Sequence, residues 1–286
     1  RTGMIVEPGR DGRRSRRPVG GSRMPAAGDG VGESAARSDR RAPSVERAII
    51  AHRGLPSAAP ENTMASFRAA VDAGARWIEA DVDLLGDGTA VILHDTLLDR
   101  TTDASGSMYD LRREDLERID AGSWYDERFA GERIPTLDEV VAFLNTSRVN
   151  ANIELKANEQ GAARTVALID TVVEALARLD AEREIIVSSF SQPLLMTLHQ
   201  RHPELAIGVL YETATLGEDW RSVLELCGAS FVHPQDAGLT ADRVRAFTAA
   251  GYGVNVWTIN DEKRAGRLFD WGCTGVFTDV AGELSL

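Results

Sequence analysis

From residue 47 onward, short apolar runs alternate with stretches of helical period, and no other feature limits the possible folds as much. The runs cover residues 47–52, 77–83, 89–94, 150–155, 184–189, 205–211, 229–233, 253–259 and 274–278. Helical patterns cover about 62–74, 137–146, 160–180, 192–201, 218–227, 240–250 and 261–271. Alternation of this kind predicts a parallel sheet covered by helices, and about eight units predict a closed barrel. One run is surplus. The link between 77–83 and 89–94 is shorter than the dozen or so residues a parallel crossover needs, so 89–94 is expected to return antiparallel, outside the ring. The expected fold class is α/β, a (β/α)8 TIM barrel with a small insertion subdomain after the second strand. A doubly wound open sheet is the alternative, since periodicity does not prove closure.

Between Asp95 and Ile134 the alternation stops. A segment of that length, read as an insertion over 95–135, is uncommon unless it builds a lid or subdomain. Its amphipathic piece Leu111–Ile119 and the aromatic residues Trp124, Tyr125 and Phe129 are expected to pack it down. Residues 1–46 are rich in Arg, Gly, Ser, Pro and Ala without an apolar face, and are expected to form a disordered basic tail before a domain over 47–286. The tail holds ten Arg against six acidic residues, a net +4, so a chain of net charge −12 leaves −16 on its body. A body that acidic repels nucleic acid and anionic membrane surfaces, and an anionic substrate would need a local positive centre.

No run approaches the roughly 18 apolar residues of a membrane span. The pairs Arg13-Arg14 and Arg16-Arg17 lack the apolar stretch that an export signal requires. Cys227 and Cys273 read as small packing residues rather than a disulfide framework, which favours a reducing compartment. The expected location is the cytoplasm, with no nucleic-acid partner and no stable membrane insertion.

The chemistry-bearing residues cluster at strand ends. The run Ala48–Ala51 delivers His52, Arg53 and Gly54 at its tip, and a helix starts within ten residues at Asn62-Thr63, as in a phosphate-handling loop. Asn62 or Thr63 reads as the helix N-cap, with capping the expected role of Asn62, and Glu61 as a residue that could bond a substrate. In the stretch Trp77–Asp83, alternation puts Glu79, Asp81 and Asp83 on one face. Asp87-Gly88 marks a turn. A hairpin centred there sets Glu79 opposite Asp95 and Asp81 opposite Leu93, and brings His94 beside the carboxylates. Glu154 and Lys156 close a further strand. Three acids from two strands then converge on one barrel mouth, either as a divalent-cation site or as paired surface carboxylates.

Seven motifs stand in register: HRG, PENT, E-x-D-V, HD-x-x-L-x-R-T-T, IPTLDE, N-x-E-L-K and V-x-V-W-T-I-N. In this order the chain resembles the glycerophosphodiester phosphodiesterases over residues 48 to about 284. The resemblance implies that the inserted segment lies on the active-site side. It also implies that Glu79, Asp81 and Glu154 bind a divalent cation, Mg²⁺ or Ca²⁺. His52 and His94 suit general acid-base work on a phosphodiester, because imidazole titrates near neutral pH. Arg53 and Lys156 would hold the phosphate, and Trp257 would pack against the glycerol carbons. His199 and His202 read as outer-helix residues, and His233 stays open as a further site residue.

The expected reaction is metal-dependent hydrolysis of a small glycerophosphodiester to sn-glycerol 3-phosphate and an alcohol. The attacking oxygen comes from water or from the substrate's own glycerol hydroxyl. A lysophospholipase D on chain-bearing lipids is the nearest rival, and would need an apolar rim from Met108, Tyr109, Leu111 and Leu116. A non-catalytic phosphoester-binding protein is the reading from another class.

Overall fold

In the computed structural model, which describes residues 45–156 and 161–285, the expected strands all form. They are β1 (Ala48–Ala51), β2 (Trp77–Leu84), β3 (Ala90–Ile92), β4 (Asn150–Leu155), β5 (Ile185–Ser189), β6 (Ala206–Tyr211), β7 (Phe231–Pro234), β8 (Gly253–Val256) and β9 (Gly275–Thr278). β1 pairs in parallel with both β2 and β9, and this double pairing closes eight parallel strands into a barrel. The open-sheet alternative is excluded. β3 pairs antiparallel with β2, outside the ring, with Val82 facing Ile92 and Leu84 facing Ala90, and its other edge makes a single bridge from Val91 to Thr136. Continued by one residue, the β2–β3 register sets Asp81 against Leu93, whose N–H donates to the Asp81 carbonyl at 3.1 Å.

Helices α1 (Met64–Asp72), α2 (Leu137–Ser147), α3 (Ala162–Leu176), α4 (Gln192–Arg201), α5 (Trp220–Leu226), α6 (Ala241–Ala249) and α7 (Glu262–Asp270) surround the ring. The strand period of two sorts the core into separate clusters. Ile78, Ala80 and Val82 of β2 and Ala151, Ile153 and Leu155 of β4 pack outward against the helices. The alternate residues Ile50, Trp77, Ile186, Phe231 and Phe277 form their own cluster inside the ring. One strand step above Ile50 the inward position is His52, and above Trp77 it is Glu79, then Asp81. The β2–β4 register pairs Glu79 with Asn152 and Asp81 with Glu154, so Glu154 points inward at the same height.

Helix starts follow local chemistry. The IPTLDE motif is a capping box: Thr136 Oγ1 accepts from the Glu139 N–H, and Glu139 Oε2 accepts from the Thr136 N–H at 2.8 Å. α1 corrects the expectation for Asn62. Thr63 is the cap, its hydroxyl accepting the Ser66 N–H at 3.2 Å. Asn62 sits one residue too early, at φ 56°, and its amide turns into the barrel instead. β8 stops at Val256, short of the expected 259. Trp257 keeps a single bridge to Gln235, and Trp257 and Thr258 turn into the wall of a cleft.

The segment between β3 and α2 contains three short 3₁₀ turns, Met108–Asp110, Arg113–Arg118 and Glu127–Phe129. Leu98, Met108, Leu116, Ile119 and Ile134 close over Leu85, Val91 and Leu93 as a small core of their own. Tyr125 stacks edge-on against both Trp124 and Phe129, with ring centroids 5.7 Å apart in each pair. The tail read over 1–46 lies outside the described residues except for its last two. Val45 there is already buried against the inner cluster. Cys227 and Cys273 are buried free thiols. Among the described residues, no helix is long and apolar enough to cross a membrane.

Candidate active site

The C-terminal ends of the strands open into a cleft of about 700 Å³, including its open mouth, lined among others by His52, Arg53, Glu79, His94, Glu154 and Trp257. The turn after β1 is tight: Arg53 lies at φ 53° and Gly54 at φ 88°. A Cβ on Gly54 would stand 2.3 Å from Ser66 Oγ and 2.6 Å from the Ser66 carbonyl carbon, so only glycine lets α1 approach this closely. The Arg53 N–H donates to Glu79 Oε2 at 2.8 Å, tying this loop to the acids of β2.

Glu79, Asp81 and Glu154 are buried, and one carboxylate oxygen from each lies within 4.8 Å of the others. Glu79 Oε1 and Asp81 Oδ1 are buried without a hydrogen bond. Asp81 is held in place by Asn62 Nδ2 at 2.8 Å, Arg53 Nε at 3.2 Å and Lys156 Nζ at 3.4 Å. Lys156 also donates to Glu154 Oε1 at 2.9 Å. Burial opposes charge on all three acids. At Asp81, Lys156 and Arg53 outweigh it and hold the carboxyl well below the usual range. At Glu79, burial and the Asp81 charge together push the carboxyl up to about 8. Glu154 is likewise raised, by burial and then by Asp81. Close, hard oxygen donors, two of them lacking hydrogen bonds, could hold a divalent cation.

Each candidate histidine has its own carboxylate. His52 Nδ1 donates to Asp279 Oδ1 at 2.7 Å, and His94 Nδ1 donates to Asp95 Oδ1 at 2.6 Å. With Nδ1 so engaged, Nε2 is the nitrogen left for proton exchange. Burial disfavours a charged His52, but the Asp279 bond and the Glu79 charge outweigh it and raise its pKa. Burial dominates at His94, whose pKa is lowered despite Asp81, with Lys156 and Arg53 adding to the effect. Asp279 accepts a further bond from Asn260 Nδ2 at 2.8 Å.

Glu61 does not face the cleft alone: its carboxylate takes Arg53 Nη1 at 2.9 Å and both terminal nitrogens of Arg100 at 2.8 Å. Trp257 donates from Nε1 to the His233 carbonyl at 2.9 Å and meets Phe190 edge-on with centroids 5.6 Å apart. His233 itself belongs to the barrel interior. It is fully buried, bonded at Nε2 to Asn255 Nδ2 at 3.1 Å, and held neutral by burial that lowers its pKa to about 3. Gly208 makes room for it, since a Cβ there would lie 2.4 Å from its ring. His199 and His202 fall on α4 and at its C-cap, away from the cleft residues. Met108 and Leu116 are consumed by the core of the inserted segment, and Tyr109 donates its hydroxyl to Asp83 at 2.7 Å. These residues therefore do not build the apolar rim that a lipid substrate would need.

Comparisons with known proteins give the family. The family model of the glycerophosphoryl diester phosphodiesterase family matches residues 52–283. The chain belongs to that family. A glycerophosphodiester phosphodiesterase from Caldanaerobacter subterraneus is 35% identical over 231 residues, covering 81% of this chain and 93% of that protein. The solved structure of an Oleispira antarctica phosphodiesterase, in complex with its product sn-glycerol-3-phosphate, superposes with a TM-score of 0.79. It is 35% identical, and the match covers 83% of this chain and 94% of that one. A glycerophosphodiester phosphodiesterase from Agrobacterium tumefaciens gives a TM-score of 0.67 at 27% identity, over 82% of this chain and 97% of its own. The chain is thus a phosphoric diester hydrolase with glycerophosphodiester phosphodiesterase activity.

Asp279, Asp95, Arg100, Asn62 and Phe190 are the residues of this phosphodiesterase that sequence reasoning did not assign to the site. Asp95 and Arg100 stood inside the quoted HD-x-x-L-x-R motif. Asp279 follows the last strand, which in a closed barrel neighbours the first.

Proposed function

We propose that this phosphodiesterase hydrolyses small glycerophosphodiesters, such as glycerophosphocholine or glycerophosphoethanolamine, to sn-glycerol 3-phosphate and a free alcohol. His52 and His94 act as its proton-transfer pair. The observation that carries this reading is the pair of carboxylate-anchored imidazoles, His52–Asp279 and His94–Asp95, at one cleft with three buried acids. One imidazole takes the proton of the attacking oxygen as the new P–O bond forms. The other gives a proton to the alcohol oxygen as the old P–O bond breaks, so no alkoxide is released. Arg53 and Lys156 donate to the phosphate oxygens and stabilise the added negative charge of the transition state. Trp257, backed by Phe190, offers an apolar face to the glycerol carbons.

Glu79, Asp81 and Glu154 would hold the Mg²⁺ or Ca²⁺ ion, which supplies positive charge against the acids and the phosphate. Support for that assignment is the pair of buried carboxylate oxygens without hydrogen bonds. The test is release of sn-glycerol 3-phosphate from glycerophosphocholine by the purified protein with Mg²⁺ or Ca²⁺, repeated after chelation. Turnover that disappears with chelator and returns with the ion is expected. No product under either ion, alongside an active control enzyme, would overturn the reading.

A further inference from the structure

Two cleft residues from different parts of the chain are joined by a chain of charged side chains that runs outside the cleft. His94 Nδ1 donates to Asp95 Oδ1 at 2.6 Å. Asp95 takes Arg100 twice, Nε to Oδ2 at 2.5 Å and Nη2 to Oδ1 at 3.2 Å. The other edge of the same guanidinium grips Glu61, Nη1 to Oε2 and Nη2 to Oε1, both at 2.8 Å. Glu61 Oε1 then accepts Arg53 Nη1 at 2.9 Å. Asp95 and Arg100 lie at the start of the inserted segment, whereas Glu61 and Arg53 belong to the loop between β1 and α1.

Arg100 is not among the residues that line the cleft, and its side chain is 45% exposed. Glu61 and Asp95 are 13% and 27% exposed, so these pairs are only partly screened, and their contribution to global stability is modest. Their geometry is nevertheless demanding. All three guanidinium nitrogens are used, in two forks on two carboxylates, which a lysine ammonium cannot reproduce because it is a point charge without a planar fork. Reaction rates respond to displacements near 1 Å by as much as about a hundredfold, so an arrangement that adds only modest stability can still govern rate.

We propose that Arg100 is a positioning residue: by gripping Asp95 with one edge and Glu61 with the other, it fixes His94 and Arg53 relative to each other and couples proton transfer to phosphate binding. The inference rests on the roles proposed above for His94 and Arg53.

The test compares kcat, KM and the thermal midpoint for glycerophosphocholine turnover in wild type, Arg100→Met, Arg100→Gln and Arg100→Lys. Arg100→Met is expected to lower kcat by about 10- to 100-fold and to raise KM several-fold, with the midpoint shifted by only a few degrees. Arg100→Lys should recover less than half of the lost kcat on a logarithmic scale. A double-mutant cycle between Glu61→Gln and Asp95→Asn should be non-additive in wild type and additive in the Arg100→Met background. The inference is overturned by a kcat within twofold of wild type, by a lowered kcat at unchanged KM, by full rescue with lysine, or by an additive cycle in wild type. The lowered kcat at unchanged KM would mean only a smaller active fraction. Should Arg100→Met not fold, Arg100→Gln takes its place. An inactive wild type would strike the proposed function instead, so the two failures are distinguishable.

Discussion

His52 and Asp279 are 227 residues apart in sequence and 2.7 Å apart in the fold. The barrel's closure makes that contact. β1 and β9 are neighbours, and the His52 N–H donates to the Thr278 carbonyl at 2.9 Å, so the residue after each strand arrives at the same corner of the cleft. The carboxylate fixes both the tautomer and the ring orientation of the imidazole.

Asp279→Asn should therefore cost activity without costing the fold. An amide in place of the carboxylate no longer favours the Nδ1–H tautomer or the imidazolium, and kcat should fall by about 10- to 100-fold. His52→Ala should fall further, within the roughly 10²- to 10⁴-fold range of general acid-base contributions. Steady-state turnover of glycerophosphocholine reads both variants. Asp279→Asn retaining more than half of wild-type kcat would remove the orienting role.

The raised Glu79 carboxyl predicts how stability depends on pH and on the cation. The folded chain holds this proton up to about pH 8, whereas the unfolded chain releases it near the ordinary 4.5. Between those values the native state binds more protons, so stability falls as pH rises. In chelator, wild type should lose stability across pH 5 to 8 relative to Glu79→Gln, which has no proton to hold. Mg²⁺ or Ca²⁺ competes with the same proton, so its stabilisation should be larger at pH 8 than at pH 5. At a hundredfold excess over Kd it should be on the order of 2–3 kcal/mol. Thermal midpoints with and without EDTA measure this, and an ion effect that is equal at both pH values would contradict it.

Glycine positions separate steric demand from backbone conformation. Gly54 and Gly74 have nearly the same φ, 88° and 91°, but only at Gly54 would a Cβ strike neighbouring atoms. Gly74→Ala should cost about 1–2 kcal/mol from the left-handed backbone alone. Gly54→Ala should cost at least about 3 kcal/mol, because α1 must move away from the β1 loop as well. Urea unfolding of the two variants reads the difference, and equal losses would show that the Ser66 contact relaxes freely.

Much of this site was legible because strand period and barrel closure act on any sequence of this pattern. The alternation in Trp77–Asp83 placed Glu79 and Asp81 inward, and the Asp87-Gly88 turn fixed the hairpin register that brings His94 to them. Asn62 was misread for a physical reason. A small polar residue just before a helix looks the same whether it caps the helix or reaches across to a neighbouring strand, and here Thr63 supplies the cap. Asp279 left no local signal, since its partner is at the other end of the barrel domain. Arg100 and Glu61 were visible as motif members, but which carboxylate each cation would choose depends on side-chain geometry that spacing does not contain.

The placement of β3 outside the ring has a consequence for how this enzyme can be altered. One imidazole is mounted on a stave of the barrel, while the other rides on an outrigger that continues directly into the inserted segment. Exchanging that segment with a relative's, from the hairpin onward, would transplant His94, Asp95 and Arg100 as one cassette. The buried acids Glu79, Asp81 and Glu154 and His52 would stay behind on the recipient scaffold.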